Sequence, residues 1–192
     1  IYTYESFTSE CGPGPAIETA FEENCNCDLQ FVSLDSSIGI LGRVQLEGVG
    51  SKADIVLGLD TNLMATARDT GLFAPHGTRL AGRTSLPVNF LDDMFVPLDW
   101  GHFAFVYNSE TLAQPPVSMQ ELVDAPESLR IVIQDPRTAT PGLGLLLWVK
   151  SVYGDDAPEA WAKLAPKIVT VTKGWWDAYS MFLEGEADMV LS

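Results

Sequence analysis

VIQDPRTATPGLGLLLW, residues 132–148, reads as the end of a buried strand, a polar loop and the mouth of an apolar helix. Val132 and Ile133 continue the apolar run of LRIVIQD, which has the unbroken hydrophobicity of a strand covered on both faces. Pro141 suits the first helical position and Thr140 can cap it. Gly142 would let a ligand come close to the backbone. Unpaired N–H groups at such a helix start form a ready anion site, so the loop is expected to be one wall of a ligand cleft. The same residues also make a good helix start packed on a sheet, and this stretch by itself leaves both readings open.

Working outward, strands and helices alternate. IYTYESF is expected as a strand, GPGPAIETAFEEN as a loop leading into a helix with Pro15 near its first turn, CDLQFVSL as a strand, SIGILGRVQLEG as a helix and ADIVLGL as a buried strand. TNLMATARDTGLF is expected as a helix capped by Asp60 or Thr61 and ended by Gly71. HGTRLAGRTSLPVNFLDD has no period and reads as a surface loop. MFVPLDWGHFAFVYN reads as two extended stretches broken by Pro97 and Gly101, and Ser118 with Glu121 forms a capping box ahead of a helix. The alternation then resumes through APEAWAKLAPK, IVTVTKG, WWDAYSMFLEG and ADMVLS. This order predicts an α/β fold of mostly parallel sheets with helices on both faces. An extended crossing near 99–107 divides it into lobe 1, residues 1–102, and lobe 2, residues 103–192. ADMVLS is a strand with no following element, so further downstream sequence is expected. Ile1 opening directly in a strand pattern is what a mature protein cut from a longer precursor, or a trimmed chain, would show.

A net charge of −15 with no basic cluster argues against nucleic-acid binding and mildly favours a cationic ligand. No apolar run approaches the ~20 residues that cross a bilayer. Cys11, Cys25 and Cys27 form no CxxC, and Cys25 and Cys27 are too close in sequence for easy mutual bonding, so all three read as structural. His76 and His102 stand far apart without clustered carboxylates, so no metal site is expected. No nucleophile elbow or Ser-His-Asp set marks a catalytic centre.

WGHFAFVYN followed by PPVSMQELVD resembles the hinge and lobe entry of class II periplasmic substrate-binding proteins, whose chain crosses twice between two lobes. The likeness sharpens at YTYESF with GPGP, SKADIVLGLDTNL, QDPRTATPGLGLLLW, TVTKGWWDAY and GEADMVLS. Together these resemble the thiamine-binding protein family of bacterial ABC transporters, from about residue 2 to residue 192. The resemblance implies a two-lobed class II fold and a periplasmic, extracytoplasmic receptor. It also implies a small-molecule ligand (thiamine, thiamine monophosphate or diphosphate) passed to a membrane permease, with no cofactor and no catalysis. It implies that Tyr4 and Trp175 touch the ligand and that RTATPG, with Thr138, Ala139, Thr140 and Gly142, meets a phosphate. Family members carry serine where Ala139 stands, Asp-Gly where Ser36-Ser37 stand and tryptophan where Cys11 stands.

The chemistry of such a ligand can be set beside the residues. A fixed thiazolium charge on a flat ring suits aromatic faces, each good contact giving about 0.5–2 kcal/mol. Tyr4, Trp100, Trp175 and Trp176 lie beside strand ends or the crossing, and each can instead be core packing; of Trp175 and Trp176, one is expected to face the core and the other the cleft. Asp60 follows a strand and either pairs with the ligand's amino or cationic group or caps a helix. A receptor for another small phosphorylated or cationic solute is the nearest alternative. A thiaminase-like enzyme with a cysteine nucleophile is the alternative from another class, and no cysteine here has a base positioned beside it.

Overall fold

The computed structural model describes residues 1–78, Leu86 and 90–192. The first 69 residues form β1 (Tyr2–Tyr4), α1 (Glu5–Thr8), α2 (Gly14–Cys25), β2 (Val32–Leu34), α3 (Ser37–Glu47) and α4 (Met64–Asp69). β1 and β2 pair in parallel, with Tyr4 opposite Leu34. The stretch expected as a strand at ADIVLGL makes a single parallel bridge from Val56 to Tyr2, anchored by Tyr2 N–H on Ile55 O at 3.0 Å and Leu57 N–H on Tyr2 O at 2.9 Å. α3 covers this small sheet. Its residues Ile40 and Val44 bury with Tyr2 against Leu34, Val56 and Phe73.

The second sheet is built from β3 (Phe105–Tyr107), β4 (Ile131–Gln134), β5 (Ile168–Thr172) and β6 (Met189–Leu191), in the order β3-β6-β4-β5. β4 runs parallel to both β5 and β6, and β3 is antiparallel to β6. Four further helices, α5 (Met119–Asp124), α6 (Thr140–Tyr153), α7 (Ala157–Leu164) and α8 (Trp175–Leu183), pack around it. The pleat sorts the side chains. Ile131, Ile133, Met189 and Leu191 enter one core with Leu145, Val149 and Leu164, whereas Val132 and Val190 enter the opposite core with Ala178 of α8. Helices therefore cover both faces, which is why these strands read as continuous apolar runs. Each fully buried aliphatic side chain contributes about 1.5–3 kcal/mol, so β4 and β6 anchor this half.

Several expectations change. Residues 5–8 turn from strand into the short α1, and the helix expected from Thr61 starts only at Met64. Asp60 holds the intervening turn, its carboxylate accepting from the N–H groups of Asn62 at 2.8 Å and Leu63 at 3.3 Å. The capping box at Ser118 forms, but the returning Glu121 carboxylate accepts from Val117 N–H, one residue upstream of the cap. Cys25 and Cys27 are bonded to each other, contrary to expectation, and Cys11 is the free cysteine. The chain reverses sharply between them because Asn26 takes a left-handed conformation, φ 52°, at the end of α2, which brings the two Cα atoms to 5.2 Å. Most of the loop expected over 76–93 lies outside the described residues.

Candidate functional site

The loop 135–140 leaves the C-terminal end of β4 and is shaped by Asp135. Its carbonyl accepts from the N–H groups of Thr138 at 3.1 Å and Ala139 at 2.9 Å. Its carboxylate accepts from Arg137 N–H at 2.8 Å and from the Arg137 guanidinium at 2.5 Å. That guanidinium holds the Asp135 carboxyl down at about 2, with help from the Arg137 N–H. The loop is tied to its neighbour as well: Thr138 Oγ1 donates to Lys173 O at 2.7 Å, and Asp135 N–H donates to Thr172 O at 2.8 Å.

Ala139, not Thr140, is the N-cap of α6; Thr140 is the first helical residue and Pro141 the second. With its hydroxyl released from capping, Thr140 reaches across to the other half of the chain. Its Oγ1 donates to Asp60 Oδ2 at 2.5 Å and lies 3.3 Å from Ser37 Oγ. Asp60 thus both caps its own turn and meets α6. The N–H groups of Thr138 and Ala139 are already engaged by Asp135 O, so the helix mouth offers the first-turn N–H groups of Thr140 and Gly142, Pro141 having none.

Gly142 has a packing reason to be glycine. A Cβ there would lie 2.3 Å from Gln134 O, so the residue lets α6 start tight against the end of β4. Gly144 is the same kind of residue, since its Cβ would fall 2.3 Å from the ring of Phe103. Both glycines of the apolar helix are packing glycines.

Ser37, Asp60, Thr138, Ala139 and Thr140 converge. A crevice of about 40 Å³ separates Ile38, Asp60 and Leu63 from Thr138, Thr140 and Leu143. Ser36 takes another role: buried, it caps α3 by accepting from Gly39 N–H at 3.2 Å. Beside the crevice, Lys173 pairs with Asp35, and a Cβ on Gly174 would lie 3.3 Å from Asp35 O. The Asp35 carboxylate raises the Lys173 pKa, with smaller contributions from Asp177 and Glu5.

Tyr4 ends β1 on the side where Leu34 leads into Asp35. Its ring lies on the backbone of Gly58, where a Cβ would meet it at 2.3 Å; Gly58, with φ 101°, is suited to that place. Burial first, and then Asp99, push the Tyr4 hydroxyl up. Trp175 opens α8, stacks on Tyr179 at 4.7 Å and donates its Nε1–H to Ser192 Oγ at 3.1 Å, and the adjacent Trp176 is exposed. Trp100 is exposed and meets His102 edge-on, apart from the crevice residues. A wider, open hollow of about 410 Å³ lies elsewhere, beside β2 and α2, lined by residues such as Thr8, Glu18, Asp28 and Ser33, and its lining includes none of the expected ligand residues. Asp35 and Lys173 were not anticipated: each is a common surface residue next to a strand end, and only the fold brings their charges together.

Comparison with known proteins places this geometry. The family profile for bacterial extracellular solute-binding proteins matches residues 14–192. The chain belongs to that family. It is similar to the thiamine-binding periplasmic protein of Escherichia coli strain K12, 55% identical over 192 residues, which cover 100% of this chain and 58% of that protein. The thiamine-binding periplasmic protein of Haemophilus influenzae is 45% identical over 194 residues, again 100% of this chain and 58% of the other. The chain thus spans under two thirds of these curated relatives. Among solved structures, a periplasmic thiamin binding protein superposes with a TM-score of 0.94 at 55% identity, covering 100% of this chain and 60% of that one. A periplasmic binding protein from Actinobacillus pleuropneumoniae reaches 0.79 at 19% identity, covering 100% of this chain and 61% of that one; at that identity it speaks for the fold alone. The family fold, α/β with mostly parallel sheets of the class II periplasmic-binding type, is the fold of this chain.

Proposed function

We propose that the protein of which this chain is part is an extracytoplasmic receptor that binds thiamine or a thiamine phosphate ester in the periplasm and hands it to the permease of an ABC transporter. The supporting observation is the site's composition within a chain so similar to relatives named for thiamine binding. The mouth of α6, with Thr138 and Thr140, faces Ser37 and Asp60, and Tyr4 and Trp175 end or begin elements beside the Asp35–Lys173 pair. In this reading residues 1–102 and 103–192 belong to two lobes, and the ligand lies between them. Tyr4 and Trp175 stack on the flat cationic rings, while Thr138, Thr140 and the first-turn N–H groups of α6 receive an anionic tail. Ala139 brings only its backbone, so the hydroxyl contacts fall to its two threonine neighbours. Gly142 supports the helix, Ser36 holds the start of α3, and Trp100 stands outside the site in this arrangement. The chemistry is binding, with hinge closure as its output.

The test is a titration of the full-length protein with thiamine, thiamine monophosphate and thiamine diphosphate, read by tryptophan fluorescence and calorimetry. Saturable quenching that Trp175→Phe diminishes is expected. A flat titration with all three compounds would remove the assignment and favour another small phosphorylated or cationic solute, and cleavage products in mass spectra would replace the receptor by a thiaminase-like enzyme.

A further inference from the structure

The apolar run LRIVIQD ends in an amide, and Gln134 is fully buried with that amide half used. Its side chain leaves β4 on the face of Val132, toward α8, level with the buried Thr172 of β5. The backbone pairing of β4 with β6 stops at Val132 opposite Val190. Beyond that point the side chain takes over, Gln134 Nε2 donating to Leu191 O at 2.9 Å. Ser192, next along, exchanges both backbone hydrogen bonds with Ala104, each at 2.8 Å, and its Oγ accepts from Trp175 Nε1 at 3.1 Å. Thr172 Oγ1 donates to Gly174 O at 2.7 Å, which fixes the residue before that indole. The half-buried indole is thus held from β5 through its backbone and from the end of β6 through its ring. Gln134, on the strand between them, ties the end of β6 to the sheet.

Stability alone does not call for an amide here. Gln134 Oε1 is buried and has no hydrogen-bond partner among the described residues, and an unpaired buried acceptor offsets much of what one hydrogen bond contributes. The Gln134 backbone is already fixed by Gly142, which packs against its carbonyl. What the amide adds is a hold on Leu191 O, immediately before the hydroxyl that orients Trp175. We propose that Gln134 is a positioning residue for the ring of Trp175, acting through the end of β6 and Ser192. Its part in ligand binding rests on the assignment of Trp175 to the site, whereas its action on the indole does not. Gln134, Ser192 and Trp175 all lie in or beside the second sheet, so the ring is oriented inside one half of the chain and needs no closure between halves. A ring held in this way meets a ligand with less ordering still to be done.

The full-length protein is labelled isotopically at its indole nitrogens, and the Trp175 N–H resonance is assigned by its loss in Trp175→Phe. Exchange of that proton with solvent is then measured by NMR without ligand. It is expected to be slower than for the exposed Trp176. Ser192→Ala and Gln134→Met should each speed it by roughly two- to tenfold, and the double variant should exchange no faster than Ser192→Ala alone. Ser192→Thr keeps the hydroxyl and should keep the slow rate. Gln134→Asn is too short to reach Leu191 O, so it should act like Gln134→Met and serves in its place if the methionine variant does not fold; circular dichroism confirms folding. Thiamine affinity in the Gln134 variants should fall by a similar two- to tenfold, roughly the worth of one hydrogen bond. The proposal is overturned by exchange that is unchanged in the folded Gln134 variants, or quickened as much in the Ser192→Ala background. A disturbed indole with thiamine affinity intact would overturn the role in binding. If the unaltered protein binds neither thiamine nor its phosphates, the ligand assignment fails, and indole exchange still decides whether Gln134 positions Trp175.

Discussion

The ring of Phe103 occupies the space that a side chain on Gly144 would need, with only 2.3 Å from its nearest ring carbons to the position of a Cβ. The first strand-ward segment after the crossing is therefore clamped on the helix that opens the site. Gly144→Ala sets two effects against each other: an alanine gains about 1 kcal/mol of helix propensity, while forcing the ring aside costs typically 1–3 kcal/mol. The backbone on either side leaves the ring as the group that must move, so a net loss of about 1–2 kcal/mol is expected in urea unfolding. Phe103→Ala/Gly144→Ala together should be less destabilised than the sum of the single changes. Additive losses would mean that the ring does not police this glycine.

Lys167 is buried, and its ammonium donates to Val123 O at 2.9 Å and Lys163 O at 2.7 Å, the closing carbonyls of α5 and α7. Burial lowers its pKa while Glu127 and Asp124 work against that shift, and the positive end sits where two helix dipoles are negative. Lys167→Met fills the space but leaves both carbonyls without their donor, an expected loss of about 2–3 kcal/mol in denaturant unfolding. Stability unchanged in the methionine variant would show that the desolvation cost cancels both hydrogen bonds.

Much of this organisation was legible in the sequence. The second half gave itself away through runs such as LRIVIQD, because strands sandwiched between helices carry apolar residues on both faces. Helices with a strong local signal also emerged where expected: Pro15 lies in the first turn of α2 and Ser118 caps α5. The first half was harder. ADIVLGL has the composition of a strand, yet it makes one bridge, since pairing depends on neighbours that composition does not reveal. In the site, Thr140 was read as a local cap because local rules cannot see Asp60, eighty positions away in sequence. The packing reasons for Gly142 and Gly144 were hidden in the same way: Gln134 O and the Phe103 ring become their neighbours only in the folded chain.

The Cys25–Cys27 bond leads to a thiol count. Unfolded in denaturant without reductant, residues 1–192 should contribute one equivalent of reactive thiol, at Cys11, and three after reduction. The closed loop is very short, so the chain-entropy estimate for its stabilisation is only about 1.5 kcal/mol, and the reduced protein should stay folded with a modestly lower Tm. Three reactive thiols before reduction would contradict the bond.

Asp135 gives the loop at the mouth of α6 a pH dependence of known sign. Its carboxyl is lowered from an ordinary 3.8 to about 2 by the Arg137 guanidinium and then by Arg137 N–H. A lowered folded value means that the unfolded chain takes up the proton more readily between those limits. The stabilising contribution is therefore fully present above about pH 4 and is lost as pH falls through 2. Comparison of the unaltered protein with Asp135→Asn should show a constant gap in unfolding free energy between about pH 5 and 7, shrinking below pH 4 and closing near pH 2. High salt should narrow the gap only in part, because the Arg137 N–H bond persists where the exposed guanidinium pair is screened. A gap of full size at pH 2 would place the loop's stability in its backbone turn and not in this carboxylate.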